Sequence, residues 1–343
     1  MALIVSEEQE VLVEAVRGWL ADRTDLARPR ADEPHLLAPG ELASAAELGL
    51  IGLLREDSGG THADLALVVE ELGRAGSPLP VAQAALACRL LDEPGLDPAL
   101  ADRLAEAETL VVPALPDPDG APVSAAGGAD GTLLLTGRAP FVVGGATAGY
   151  YLVAAVRADG SPVLALVAAE DCVRTARTGI DLTRDLVSVE LAEAPAAVWK
   201  EADTAFLEDV TALHHAADAL GAADRLLGMT VRYVKERQQF GRVIGGFQAV
   251  KHHCANMALD VETARVVVRD AAENPGDRVK VASAVSSAKE ACSRVAGTAL
   301  QLHGGMGFTW EHDLHLFLRR IKADELLGGT PRAHRARLAD LTV

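Results

Sequence analysis

Apolar residues recur at helical spacing through the first 108 positions. Ser6, with Gln9 three positions on, carries the signature of a capping box, and EVLVEAVRGWLADR follows with its apolar residues on one face. A second helix is predicted over LASAAELGLIGLL, running into the breaker Ser58-Gly59-Gly60. A third, ADLALVVEELGRAG, stops at Gly76-Ser77-Pro78, and VAQAALACRLL forms a fourth. From 109 the texture changes to short apolar runs (TLVVPAL, TLLLTG, YYLVAAV, VLALVAA, SVELAEA) separated by Gly, Pro and Asp, which predict strands of a compact β-barrel or sandwich. The helical period returns after 203. Val250, Cys254, Met257, Val261, Ala264 and Val268 make one stripe, and Val281, Val285, Ala288, Cys292, Val295, Ala299 and Leu302 make another. Asn274-Pro275-Gly276 separates the stripes, so they belong to antiparallel neighbours; with 207–236 and 312–326 they make four helices. The expectation is an α+β chain: an N-terminal helical domain over 1–108, a middle β-barrel domain over 109–202 and a C-terminal four-helix bundle over 203–343.

Composition narrows the function classes. Aromatic residues are only 3% of the chain, so Ala, Val and Leu must fill the core, which favours close-packed helices. The net charge of −17, with no Lys/Arg-rich block, argues against a nucleic-acid surface or an anionic membrane surface. Cys88, Cys172, Cys254 and Cys292 are far apart and form no CxxC pair, which disfavours a metal site or a disulfide framework and fits a reducing cytoplasm. Acids from Glu7 onward are unlike a signal-peptide core, and no uncharged run approaches the roughly 20 residues of a membrane span. His214-His215 and His252-His253 read as packing and helix-surface residues.

Two stretches carry chemistry. YVKERQQFGR (233–242), continuing to Phe247-Gln248, resembles the Y-x-x-x-R-x-x-F-G…F-Q segment of acyl-CoA dehydrogenases, and QLHGGMGFTWE (301–311) resembles their Q-x-x-G-G-x-G-F segment. VVEELGRAG resembles an N-terminal helix of the same family, so the likeness covers most of the chain in family order. It implies FAD as cofactor and an acyl-CoA thioester as substrate, with this part of the bundle reaching a neighbouring subunit's flavin. On that resemblance Arg237, Gln239, Phe240, Gln248, Gln301, Gly304 and Gly305 are the cofactor-contacting residues. Arg237 offers a fork of donors suited to a pyrophosphate. Gly304 and Gly305 let backbone approach closely, Gln248 and Gln301 offer amides that both donate and accept, and Phe240 packs on the cofactor.

The chain departs from the family where a subunit serves its own flavin. Removing an α-proton from a thioester needs an oriented base. The family's glutamate position aligns with Gly328, and the earlier position used by a minority of members aligns with Thr211. Neither can take a proton. Glu325 is the substitute within reach, although Glu325, Asp324, Glu208 and Asp209 all read as solvated helix faces. VVPALPDPDG (111–120) stands where the family has an acidic loop, and Phe141-Val142-Val143 stands where it has Trp-x-Thr. Loss of these features, with the trans-facing residues kept, implies a non-catalytic subunit in a hetero-oligomer with a longer homologue. A homo-oligomer is the alternative form. Three other readings stay open: a self-sufficient dehydrogenase with a relocated base, a flavin oxidase or monooxygenase, and a helical scaffold without flavin.

Overall fold

The computed structural model describes residues 5–342 apart from 25, 27–36, 38, 39, 94, 95, 118, 119, 129, 130 and 197. Five helices come first: α1 (Glu7–Ala21), α2 (Glu41–Glu47), α3 (His62–Ala75), α4 (Val81–Leu91) and α5 (Pro98–Ala105). Ser6 and Gln9 close the expected capping box on α1, and Thr61 with Asp64 closes another on α3. The predicted second helix is cut short at Glu47, because Gly49 turns the chain at φ 72° and Leu50 and Ile51 enter the core from a turn. Gly76, at φ 72°, ends α3 where the sequence places its break.

Eight strands follow: β1 (Val111–Ala114), β2 (Val123–Gly127), β3 (Leu133–Val143), β4 (Tyr150–Arg157), β5 (Pro162–Ala168), β6 (Val173–Ala176), β7 (Leu186–Ala196) and β8 (Val198–Glu201). They pair in the order β6-β7-β3-β2-β4-β5-β8, with β1 beside β4. The pairs β1–β4 and β2–β4 are parallel and the others antiparallel. Among the described residues no ladder joins β6 to β8.

The bundle comprises α6 (Thr204–Glu236), α7 (Gln248–Glu273), α8 (Arg278–His303) and α9 (Leu314–Asp324), with a further helix, α10 (Pro331–Thr342). Met257, Val261, Ala264 and Val268 of α7 and Val281 through Ala299 of the α8 stripe are buried in one core. Val250 and Cys254 near the start of α7, and Leu302 near the end of α8, are only half-buried. The α+β architecture of helical, β and helical parts is therefore present. No helix among the described residues is long and apolar enough to cross a membrane.

Small residues let the parts approach closely. A Cβ on Gly221 of α6 would lie 1.8 Å from Glu70 O, and one on Gly73 of α3 would lie 2.1 Å from Asp218 O, so these two helices cross backbone to backbone. A buried ionic cluster joins the β part to the bundle. Arg320 donates to both oxygens of Asp218, at 2.6 and 2.7 Å, and to Thr183 Oγ1 at 2.6 Å. Arg184 donates to Asp181 at 2.7 Å and to Asp324 at 2.9 Å. Burial pushes Asp218 up, but Arg320 and Arg184 outweigh it and hold the carboxyl well below the usual range; burial keeps Asp324 well above it. Removing one member leaves buried charge uncompensated, which typically costs about 3–5 kcal/mol.

Candidate functional site

The family-like residues meet at one end of the bundle. Chain leaves α6 at Arg237 in an extended conformation and forms a two-residue hairpin, Gln238–Gln239 paired with Arg242–Val243. Phe240 and Gly241 at its tip have φ 53° and 75°, the double left-handed signature of a type I′ turn. Glycine or asparagine fits there at little cost; a phenylalanine pays about 1–2 kcal/mol. Phe240 is nevertheless 91% exposed. The hairpin is braced by Arg242, whose guanidinium lies 3.9 Å from the centroid of the Phe247 ring.

Gln248 opens α7 and Gln301 lies near the end of α8, both exposed. Gly304 and Gly305 begin the tight turn 304–308; Gly304 has φ 56°, and both have open space where a Cβ would sit. Tyr233 stacks on His303 with ring centroids 4.4 Å apart, and its hydroxyl donates to His303 O at 3.3 Å. That stack fastens the hairpin end of α6 to the glycine turn after α8, so two motifs some 60 positions apart share one edge. Gln239 is the exception in engagement: its Nε2 donates to Gln238 O at 2.7 Å. Among the described residues no carboxylate pairs with the Arg237 guanidinium. Exposed donors and amides, a bare glycine turn and an exposed aromatic touched only edge-on by Phe247, at 6.2 Å between centroids, suit a dinucleotide presented from outside the chain.

A cleft of about 940 Å³ opens between the β part and the bundle. Phe141, Val143, Thr211 and Gly328 all line it, which brings together the four positions aligned with the family's own-flavin and base positions. Gly328 has φ 68°, and a Cβ there would lie 2.9 Å from Ala212 Cα. The backbone around it is held in place: Lys289 Nζ donates to Leu327 O at 2.6 Å and Gly329 O at 2.9 Å, and His334 Nε2 lies 2.9 Å from Gly328 O. Burial pushes Lys289 down to about 7, against the pull of Asp324. Burial, helped by Lys289, lowers His334 to about 4, so its imidazole is neutral.

Glu325 does not line the cleft; its Oε2 accepts from Ser293 at 3.0 Å and from Lys322 at 2.8 Å. The expected solvated helix faces are corrected for two of the four acids. Asp324 is wholly buried against Arg184, and Asp209 is wholly buried between Arg278 and Arg337, at 3.2 and 2.8 Å. Their partners lie far off in sequence, which the local period does not register. Glu208, half-buried, does line the cleft, and so does the buried Asp185, just before β7, which is absent from the sequence-based candidates. It is 7% exposed, and burial raises it to about 6 against the nearby N–H groups of residues 144–146. An acid opening a strand run gives no sign of this in sequence.

Helical front, β middle and helical bundle around a cleft define a three-part α+β class of fold. Residues 6–97 match the acyl-CoA dehydrogenase N-terminal domain and 204–341 the acyl-CoA dehydrogenase C-terminal domain. Acyl-CoA dehydrogenase IpdE2 of Mycobacterium tuberculosis is 34% identical over 340 residues, 95% of this chain and 94% of the relative. Acyl-CoA dehydrogenase FadE34 of the same species is 35% identical over 354 residues, 97% of this chain but 48% of the relative, so the chain spans about half of FadE34's length. A solved structure of a Tcur3481–Tcur3483 steroid ACAD variant superposes with a TM-score of 0.89 at 27% identity, covering 99% of this chain and 98% of that one. The chain belongs to the acyl-CoA dehydrogenase family, whose members are FAD-dependent oxidoreductases.

Proposed function

We propose that this chain is the non-catalytic subunit of a mixed, cytoplasmic acyl-CoA dehydrogenase assembly, lending its bundle edge to FAD seated mainly on a longer homologue. The observation that carries the reading is Phe240: an apolar ring almost fully in solvent, on a turn that disfavours it. Strain of that kind persists where something outside the chain uses the residue. Arg237 would hold the pyrophosphate, the backbone at Gly304 and Gly305 would face it closely, and Gln239, Gln248 and Gln301 would supply amide contacts. Flavin held there would supply the acceptor for the β-hydride of the substrate thioester. This chain's own contribution is to orient the cofactor and exclude water from it. The steroid ACAD among the similar structures favours a bulky acyl group, such as a steroid side-chain thioester, as substrate of the complex.

The two base positions support the division of labour. Thr211 and Gly328 face the cleft without an ionisable group, and Gly328 is closed to one by Ala212. Gly328→Glu is therefore expected to yield no dehydrogenase activity in the isolated chain and to lower its melting temperature. Acyl-CoA-dependent dye reduction and a thermal melt check both. The reading itself is tested by purifying the chain alone and with a base-carrying homologue from the same genome. The lone chain should be colourless and inactive, and the pair yellow and active; a yellow, active lone chain refutes the proposal.

One observation favours a second reading, a self-sufficient enzyme. Asp185 is a cleft carboxyl whose raised pKa suits a relocated base. Under it the lone chain turns over acyl-CoA and Asp185→Asn abolishes that turnover.

Phe240→Asn separates strain from use. It is expected to stabilise the isolated chain by about 1 kcal/mol, since asparagine tolerates the left-handed region. In the assembled complex the same change should lower flavin content. Chemical denaturation and the flavin-to-protein absorbance ratio read the two effects.

A further inference from the structure

The cleft has features that the proposed function leaves unused. Three side chains on its wall, each less than a tenth exposed, keep polar atoms without a hydrogen-bond partner: both carboxyl oxygens of Asp185, Oγ1 of Thr211 and Nδ1 of His334. They arrive from three elements, the loop before β7, α6 and α10. The N–H groups of Gly144, Gly145 and Ala146 approach Asp185 without closing a hydrogen bond of full geometry. His334 gives its Nε2 hydrogen to Gly328 O, so Nδ1 presents a lone pair. Thr211 can donate or accept, and Asp185 and His334 accept. A hydroxyl group is the neutral partner that answers both kinds.

The cations on the wall are already engaged. Arg184 is held by Asp181, Asp218 and Asp324, and Arg278 and Arg337 both face Asp209. Glu208 and Asp340 add negative charge to the same wall. Among the described residues, a phosphate or carboxylate would therefore compete with these carboxylates for every arginine on the wall. Pro113, Leu115, Phe141, Ile180 and Leu326 give the lining an apolar stretch, beside the polar Gln83, Asp117, His215 and Thr330. At about 940 Å³ the cleft is at the upper end of the roughly 300–1,000 Å³ usual for small-molecule sites.

We propose that this cleft binds a neutral, apolar, ring-sized molecule carrying a hydroxyl group, held through Thr211, His334 and Asp185. The inference rests on the reading that flavin sits on the partner and not in this cleft. It gives the subunit without a base a ligand site of its own, apart from the flavin edge at the far motif.

The test is equilibrium dialysis of the full chain with testosterone, a neutral ring alcohol, in parallel with androst-4-en-3-one, which lacks the hydroxyl, and with free coenzyme A. Saturable one-to-one binding of testosterone is expected, with about tenfold weaker binding of the deoxy compound and none of coenzyme A. Thr211→Val, which keeps shape and removes the hydroxyl, should weaken testosterone by about tenfold and leave the deoxy compound unchanged. Asp185→Leu provides a second variant should the first fail to fold. Absence of saturable testosterone binding overturns the inference, as does equal binding by the deoxy compound or by the folded variants. Absorbance of the same dialysed sample separates the two readings. A flavin spectrum in the lone chain sinks the proposed function, whereas a colourless chain that binds no testosterone sinks only this inference.

Discussion

Arg237→Ala is expected to strip flavin from the assembled complex while leaving the fold of this chain intact. Its guanidinium is exposed and has no carboxylate partner among the described residues, so the fold loses no internal contact with it. A hydrogen bond to a charged group is worth about 1.5–3 kcal/mol, which corresponds to flavin retention roughly ten- to a hundredfold weaker. The ratio of flavin to protein absorbance after graded dilution measures it. Arg237→Lys should recover part of the loss, because an ammonium keeps the charge and loses the fork. A complex whose flavin content is unmoved by Arg237→Ala would make this chain a scaffold.

The second large effect concerns acid. Burial holds His62 and His334 at about 4 and His215 at about 3, and it lowers His214 well below the ordinary 6.5 as well. His62 Nδ1 lies 3.3 Å from His214 Nε2, so protonating one of that stacked pair also disfavours the other. With folded pKa values below the unfolded one, the unfolded chain binds more protons between about 4 and 6.5. Stability is therefore full above 6.5 and falls as pH drops through that window. Asp185, raised to about 6, and Asp324, raised as well, act in the opposite sense as pH drops below about 6. His303, also lowered by burial, joins the histidines, and Glu208 and Asp209, raised mainly by burial, join the carboxyls, so five histidines against four carboxyls leave stability falling as pH drops below 6.5. Lys289, lowered to about 7 from 10.5, extends the rise of stability above neutrality. Melting temperatures at pH 7.5, 6.5, 5.5 and 4.5 should fall progressively below 6.5. A flat profile would show that these histidines are hydrated and charged in the native state.

Legibility followed the reach of each interaction. The helix over 81–91 was readable residue for residue, because its apolar period and the prolines before it are local. β3 continues past the expected TLLLTG through Pro140 to Val143, because the ladder to β7 absorbs irregularities on either side of Gly137 that read as breakers in sequence. α10 escaped notice because PRAHRARLADLT has no apolar stripe. Thr330 caps it at Ala333 N, and ion pairs from Arg335 and Arg337 hold it. The bundle edge was legible because both of its motifs are contiguous stretches. Asp185 was not, since its burial is created by a loop some 40 positions earlier and by helices from the other part of the chain.

The close crossing of α3 and α6 at Gly73 and Gly221 has an evolutionary consequence. Nothing wider than a hydrogen atom fits at that crossing, whatever reaction the neighbouring cleft performs or has abandoned. Mutational drift is therefore barred at those two points even in descendants that never touch a cofactor, so the glycines record descent. On the proposed function the hairpin-tip ring is kept mainly by its use, and a lineage released from that use should lose the ring first.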